Sequence, residues 1–116
     1  MSNHLALSER ALELIAHRFK LLSDPTRLRL LQQLLAGEQS VTALVAAVHG
    51  TQANVSKHLG LLADGGLVTR RKVGVSIHYG IVDPSLFSLC ELVCCSLQAH
   101  ESEVLQQLQA REAASR

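Results

Sequence analysis

The chain has 116 residues, 47% of them hydrophobic and 18% charged, which gives room for one domain and argues against a mostly disordered chain. Eleven Lys and Arg against ten Asp and Glu leave a net charge of +1, which excludes a histone-like polycation without saying how charge is distributed. No apolar run approaches the roughly 18 residues of a membrane span, and the start MSNHLALSER lacks the basic-then-apolar order of a secretory signal, so a cytoplasmic protein with no membrane partner is expected.

Residues 8–22 (SERALELIAHRFKLL) open on a capping serine, Ser8, and carry Leu12, Ile15, Phe19 and Leu22 at the spacing of an amphipathic helix. Ser23-Asp24-Pro25 interrupts it. Asp24 can cap the next helix, and Pro25 fits its first turn, where a missing N–H costs nothing. The second helix is predicted over about 25–36, with Leu28, Leu31, Leu34 and Leu35 inward, and stops at Gly37. A short third helix, about 41–48, carries Leu44, Val45 and Val48, and His49-Gly50 turns the chain. The fourth runs from near Thr51 to about Asp64 with Val55, Leu59 and Leu62 on one face. Gly65-Gly66 ends it, since either glycine can take the left-handed conformation of a C-cap. Residues 67–72 and 75–81 are β-branched or alternating and are separated by Val73-Gly74, a two-stranded hairpin.

Asp83-Pro84 repeats the cap-and-proline device and opens a last helix of about 84–110, roughly 40 Å long. Leu86, Leu89, Cys90, Val93, Cys94, Leu97, Val104 and Leu108 form an apolar stripe along it, more than so small a domain covers alone. A homodimer seam is the economical explanation. It is expected to use Leu12, Ile15 and Phe19 of the first helix with Leu86, Leu89, Val93 and Leu97 of the last. Aromatic residues are only Phe19, Tyr79 and Phe87, so the core must be aliphatic.

The short third helix, tight turn and fourth helix match a helix-turn-helix, whose second helix enters the DNA major groove and meets base edges near its N-terminus. The residues in that position are Thr51, Gln52, Asn54, Ser56, Lys57 and His58. Gln52 and Asn54 can each pair bidentately with adenine, and Lys57 can reach guanine or a phosphate. His58 serves either DNA contact or packing. Charge distribution separates this from an ordinary solvated helix: residues 51–82 carry a local +3, residues 83–116 a local −3. Arg70, Arg71 and Lys72 on one hairpin arm suit phosphate contacts beside a groove-bound helix. The fold class is therefore mainly α with a β-hairpin wing, a winged helix-turn-helix. It forms a single domain over 1–116, with terminal helices 8–22 and 84–110 at the dimer interface. A protein-docking module on the same fold is the alternative of another class, but docking surfaces favour apolar anchors over this polar set.

The chain resembles the arsenic-repressor and metallothionein-repressor (ArsR–SmtB) family of bacterial winged-helix repressors over about residues 17–82. FKLLSDPTRLRLLQQLLAGEQSV at 19–41 is similar to the family's opening signature, and QANVSKHLGLLADGGLVTRRKVGVSIHYGI at 52–81 to its recognition helix and wing. The resemblance implies a cytoplasmic homodimer, joined through its first and last helices, on near-palindromic double-stranded operator DNA that an inducer releases. The family's common metal sites do not carry over. Ser40, Val41 and Thr42 stand where some members have Cys-Val-Cys. Asp83 matches the first ligand of the zinc site in the last helix, but Ser85, Ser96 and Ala99 occupy its other positions.

Cys90, Cys94 and Cys95 fall within six residues, an odd set that cannot form a disulfide framework across the fold. Three readings stay open. They are small hydrophobes packed on the stripe, thiolates for a soft ion such as arsenite or antimonite, or redox- or sulfide-responsive thiols. Cys90 and Cys94 lie one turn apart on one face, with Cys95 about 100° round, so an ion bridging all three must bend or loosen the helix. His100 with Glu101 or Glu103 forms at most a weak zinc-binding group and reads more simply as a solvated face. No Ser/His/Asp, Cys/His/Asn, phosphate-loop or HExxH pattern occurs, so neither an enzyme nor an organic cofactor is expected.

Overall fold

The computed structural model describes residues 6–114, so His4 of the N-terminal tail lies outside the described residues. Local capping chemistry sets most boundaries. The Ser8 hydroxyl accepts the Ala11 N–H at 3.1 Å and starts helix α1 (Glu9–Leu21). The Asp24 carboxylate accepts the N–H groups of Thr26 and Arg27 at 2.8 and 3.1 Å and starts α2 (Pro25–Leu34), with Pro25 in the first turn. A two-residue strand β1 (Gln39–Ser40) precedes α3 (Val41–Val48), capped by Ser40, and Thr51 caps α4 (Gln52–Asp64). The wing is β2 (Val68–Val73) and β3 (Ser76–Ile81).

The chain divides into two units, residues 1–83 and 84–116. In the first, Leu30, Leu44, Val55, Leu59 and Leu62 are fully excluded from solvent, and Leu31, Leu34 and Leu67 nearly so, giving the aliphatic core that the composition required. The inner face of α2 is rotated from the expected one. Leu28 and Leu35 are 38% and 54% exposed, while Leu30 is buried. The helix period places Arg27, Leu30, Leu31 and Leu34 together, and Arg27 takes the inward place because its guanidinium is satisfied there (below).

The sheet order is β1-β3-β2, all antiparallel. β1 is a strand the sequence did not announce, since two residues carry no periodicity; it is fixed by pairing Gln39 with Tyr79 and Ser40 with His78. Val73 pairs with Ser76, so the hairpin turns at Gly74-Val75, one residue later than expected. Gly74, at φ +62°, supplies the positive φ that a two-residue hairpin turn needs at its first position. At the end of α4 the two glycines divide their tasks. Gly66 takes the left-handed conformation at φ +78°, whereas Gly65 stays right-handed and lets Leu21 approach so closely that a Cβ there would overlap its side chain.

The second unit holds helix α5 (Ser85–Ala114), four residues longer at its C-terminal end than expected and about 45 Å long. Leu86 is its only buried residue among those described; Leu92, Leu97, Leu105 and Leu108 are half or more exposed in the single chain, and Val93 is 49% exposed. No described helix is long and apolar enough to cross a membrane.

Candidate nucleic-acid interface

The turn between α3 and α4 is made by His49, a non-glycine residue in the left-handed conformation (φ +53°), a region histidine enters more readily than most residues. Its N–H and that of Gly50 bond back to carbonyls in α3. Val55, Leu59 and Leu62 then anchor α4 on its buried side, which turns Gln52, Asn54, Ser56 and Lys57 to solvent. Thr51, also exposed, uses its hydroxyl to accept the Asn54 N–H at 3.2 Å. This is the polar edge that a groove-reading helix requires.

His58 differs from these. It is half-buried, and its Nδ1 lies 3.2 Å from a guanidinium nitrogen of Arg27. Arginine only donates, so Nδ1 is the acceptor in this contact. The same guanidinium donates to the carbonyls of Leu21 at 2.7 Å and Lys20 at 3.2 Å. Arg27 thus ties the end of α1 to the middle of α4, and of the two roles open to His58 the geometry supplies packing. Backbone hydrogen bonding from Arg27 and then Thr26 holds the Asp24 carboxyl below its ordinary pKa, and the Arg27 charge adds to the effect.

The three basic wing residues separate by strand alternation. Arg70 pairs with Tyr79 across the sheet and Lys72 with Ile77, whereas Arg71 pairs with His78 on the opposite face. Arg71 is held there by Glu38, which accepts from its Nε at 2.9 Å and a terminal nitrogen at 2.8 Å, and which lies 3.9 Å from His78 Nδ1. Glu38 therefore offsets one of the charges expected to meet phosphate. Sequence reading missed it because the pair spans 33 positions and depends on the unannounced strand β1. On the other face, Arg70 borders a cavity of about 240 Å³ with Thr42 at the start of α3, Gln52 and Ser56 of α4, and Ser76 and Tyr79 of β3. The structure thus brings together Gln52, Ser56 and Arg70 of the expected set and adds Thr42, Ser76 and Tyr79, which were not among the expected DNA-contact residues.

All three cysteines lie on α5 as free thiols. Cys90 is half-buried, but Cys94 and Cys95 are exposed, so the stripe that was expected to bury two of them does not do so in the single chain. No three His, Cys, Asp or Glu side chains converge into a metal-binding group among the described residues, and neither the cysteine set nor His100 with Glu101 and Glu103 does so. Of the expected dimer set, Leu12, Ile15, Phe19, Val93 and Leu97 are exposed, Leu89 is half-buried and Leu86 is buried.

Residues 22–71 match the helix-turn-helix domain family. The solved structure of AntR, an antimony-specific transcriptional repressor, is 36% identical with a TM-score of 0.70; the likeness covers 82% of this chain and 86% of that one. The homodimeric winged helix-turn-helix DNA-binding domain of a possible ArsR-family regulator from Mycobacterium bovis is 30% identical, also at 0.70, over 86% and 95%. The chain belongs to the ArsR–SmtB family. Members of this family are transcriptional regulators, not enzymes. One relative, a probable mercury resistance operon repressor from Streptomyces lividans, is 40% identical over 80 residues, 69% of this chain but only 64% of that protein. The helix-turn-helix match stops at Arg71, so the second wing strand and the cysteine-bearing helix are outside it.

Proposed function

We propose that the protein is a homodimeric repressor that binds near-palindromic double-stranded operator DNA and is released by an inducer acting on Cys90, Cys94 and Cys95. The observation that carries the DNA reading is the solvent-facing edge of α4, Gln52, Asn54, Ser56 and Lys57, held rigid from behind by Val55, Leu59 and Leu62. The exposed apolar residues Leu12, Ile15 and Phe19 of α1 and Val93 and Leu97 of α5 support a two-fold seam, as does the homodimeric state of the M. bovis relative. Arsenite or antimonite is favoured as inducer. Soft ions prefer thiolates, Cys94 and Cys95 are accessible, and two relatives carry antimony and mercury in their names. An ion drawing the three sulfurs together would distort α5 and the seam, altering the spacing of the two recognition helices. The accessibility of Cys94 and Cys95 equally favours a second reading, an oxidant or sulfide signal on the same thiols.

The test is fluorescence anisotropy on duplexes selected from a random pool, with excess competitor DNA. Selection should yield an inverted repeat. Replacing Gln52 or Asn54 by Ala should relax preference at one base pair per half-site, at about 1–3 kcal/mol each. Arsenite should release the complex in wild type but not after removal of two cysteines; release only by peroxide or a persulfide donor, reversed by reductant, selects the redox reading. Equal, weak binding to every duplex defeats the repressor and leaves a docking module.

A further inference from the structure

The cavity between the first turns of α3 and α4 and the wing is not explained by base reading. Arg70 is the only charged residue lining it, and no carboxylate does. Arg70 also contrasts with its neighbour. Glu38 engages Arg71, whereas no ion pair or hydrogen bond among the described residues engages the Arg70 side chain. Tyr79 reaches the same cavity from β3. It is 5% exposed, yet its hydroxyl makes no hydrogen bond to any described residue. Burying a phenol without a protein partner is unfavourable unless its hydroxyl keeps access to water or a ligand; the Tyr79 hydroxyl is not itself sealed from solvent, and Tyr79 lines the cavity. Thr42 and Gln52 bring the first turns of two helices to the rim, where backbone N–H groups lack intrahelical acceptors and the helix dipoles are positive.

An unpaired cation, a hydroxyl without a protein partner and two positive helix ends without a carboxylate describe a site for an anion. Its shape and position narrow the choice. Gln52 and Ser56 belong both to the cavity and to the DNA-facing edge of α4, so an anion seated here lies beside a groove-bound helix. We propose that this cavity is a phosphate pocket that takes one phosphodiester of the operator backbone. Arg70 balances its charge, and the Tyr79 and Thr42 hydroxyls donate to its oxygens. The inference rests on the DNA reading above and deepens it, because it assigns affinity to two residues that lie off the recognition helix. It also separates Arg70, which faces the pocket, from Arg71, which does not.

Tyr79 is the single tyrosine and the chain has no tryptophan, so fluorotyrosine incorporated into the full-length protein gives one fluorine NMR resonance, from this site. Adding the selected operator duplex should shift it. A duplex made neutral by methylphosphonate at the contacted phosphate should bind about tenfold more weakly and leave the resonance in place. Tyr79→Phe should cost a smaller factor, and the methylphosphonate should then cost less than it does in wild type, the remaining loss being the Arg70 contact. Thr42→Val, on the exposed first turn of α3, should behave alike without touching the core. Arg70→Gln should lower the magnitude of the salt slope by about 0.9, one phosphate, and Arg71→Gln by less. Operator binding by all these variants at wild-type strength, with no fluorine shift, overturns the pocket while leaving the repressor standing. Absence of binding to any duplex removes the repressor reading, and the pocket's assignment falls with it. If inorganic phosphate alone shifts the resonance and displaces DNA, the pocket takes a free anion and its assignment to the backbone is wrong.

Discussion

Helices α4 and α5 use the same aliphatic residues and reach opposite outcomes. In the 13 residues of α4, Val55, Leu59 and Leu62 lie on one face and all three are wholly excluded from solvent. In the 30 residues of α5, one residue is buried, and Leu92 and Leu97 stand 70% and 61% exposed. The difference lies in the distribution of apolar residues around the axis. The buried residues of α4 keep to one stripe, with only Leu61, 40% exposed, a large apolar side chain off it. Between Leu86 and Leu97, α5 is apolar on nearly every side, interrupted by Glu91 and two serines. A helix apolar all round needs cover from more than its own chain. The first of these helices is finished by the fold; the second is the one the proposed two-fold seam would finish.

The largest expected effect tests that difference directly. Val93→Asp or Leu97→Asp places a carboxylate in the proposed two-fold seam, where symmetry makes every substitution count twice. Sedimentation should show monomer or aggregate where wild type is a dimer. A well-behaved wild-type monomer at micromolar concentration would mean that α5 has no seam to lose.

Next in size is a matched pair of leucines. Leu59→Ala empties a site with no solvent contact and should cost about 2–5 kcal/mol in denaturant unfolding. Leu92→Ala removes the same atoms from a side chain that is 70% exposed and outside the proposed seam set, and should cost less than about 1 kcal/mol. Equal losses would show that α5 is covered on that side too, and that the seam is wider than Val93 and Leu97.

What was legible in the sequence follows the same division. Caps at Ser8 and Asp24 were legible because each is a contact within two or three residues. The buried side of α4 was legible because a single stripe has one reading. Where a choice depended on distant residues, the pattern misled. Leu28 and Leu35 looked as suited to the core as Leu30, and only the docking of Arg27 onto Leu21 and His58 decides between the faces. Three consecutive basic residues looked like one phosphate-binding group, but alternation sends Arg71 to Glu38 and Arg70 to the cavity. Tyr79 carried no signal, because a lone aromatic in a strand reads as core, and its idle hydroxyl shows only once the cavity exists.

The smallest expected effect concerns acid, and it probes how tightly the α4 side is tied. Asp24 accepts two backbone N–H groups, one of them from Arg27, whose side chain in turn holds His58 of α4. Those bonds favour the ionised carboxyl and lower its folded pKa below the ordinary value. The unfolded chain therefore binds this proton more readily than the folded one. The stabilisation is complete above the unfolded pKa, near the usual 3.8, and is lost as pH falls through the lower folded value. Asparagine caps helices about as well as aspartate but does not titrate. Asp24→Asn should therefore change stability little at neutral pH, and below the ordinary carboxylate range it should lose less with falling pH than wild type does. Unfolding of both proteins by denaturant between pH 6 and pH 3 measures this. Parallel curves would mean that the cap charge contributes nothing, and that Arg27 holds α4 in place without help from Asp24.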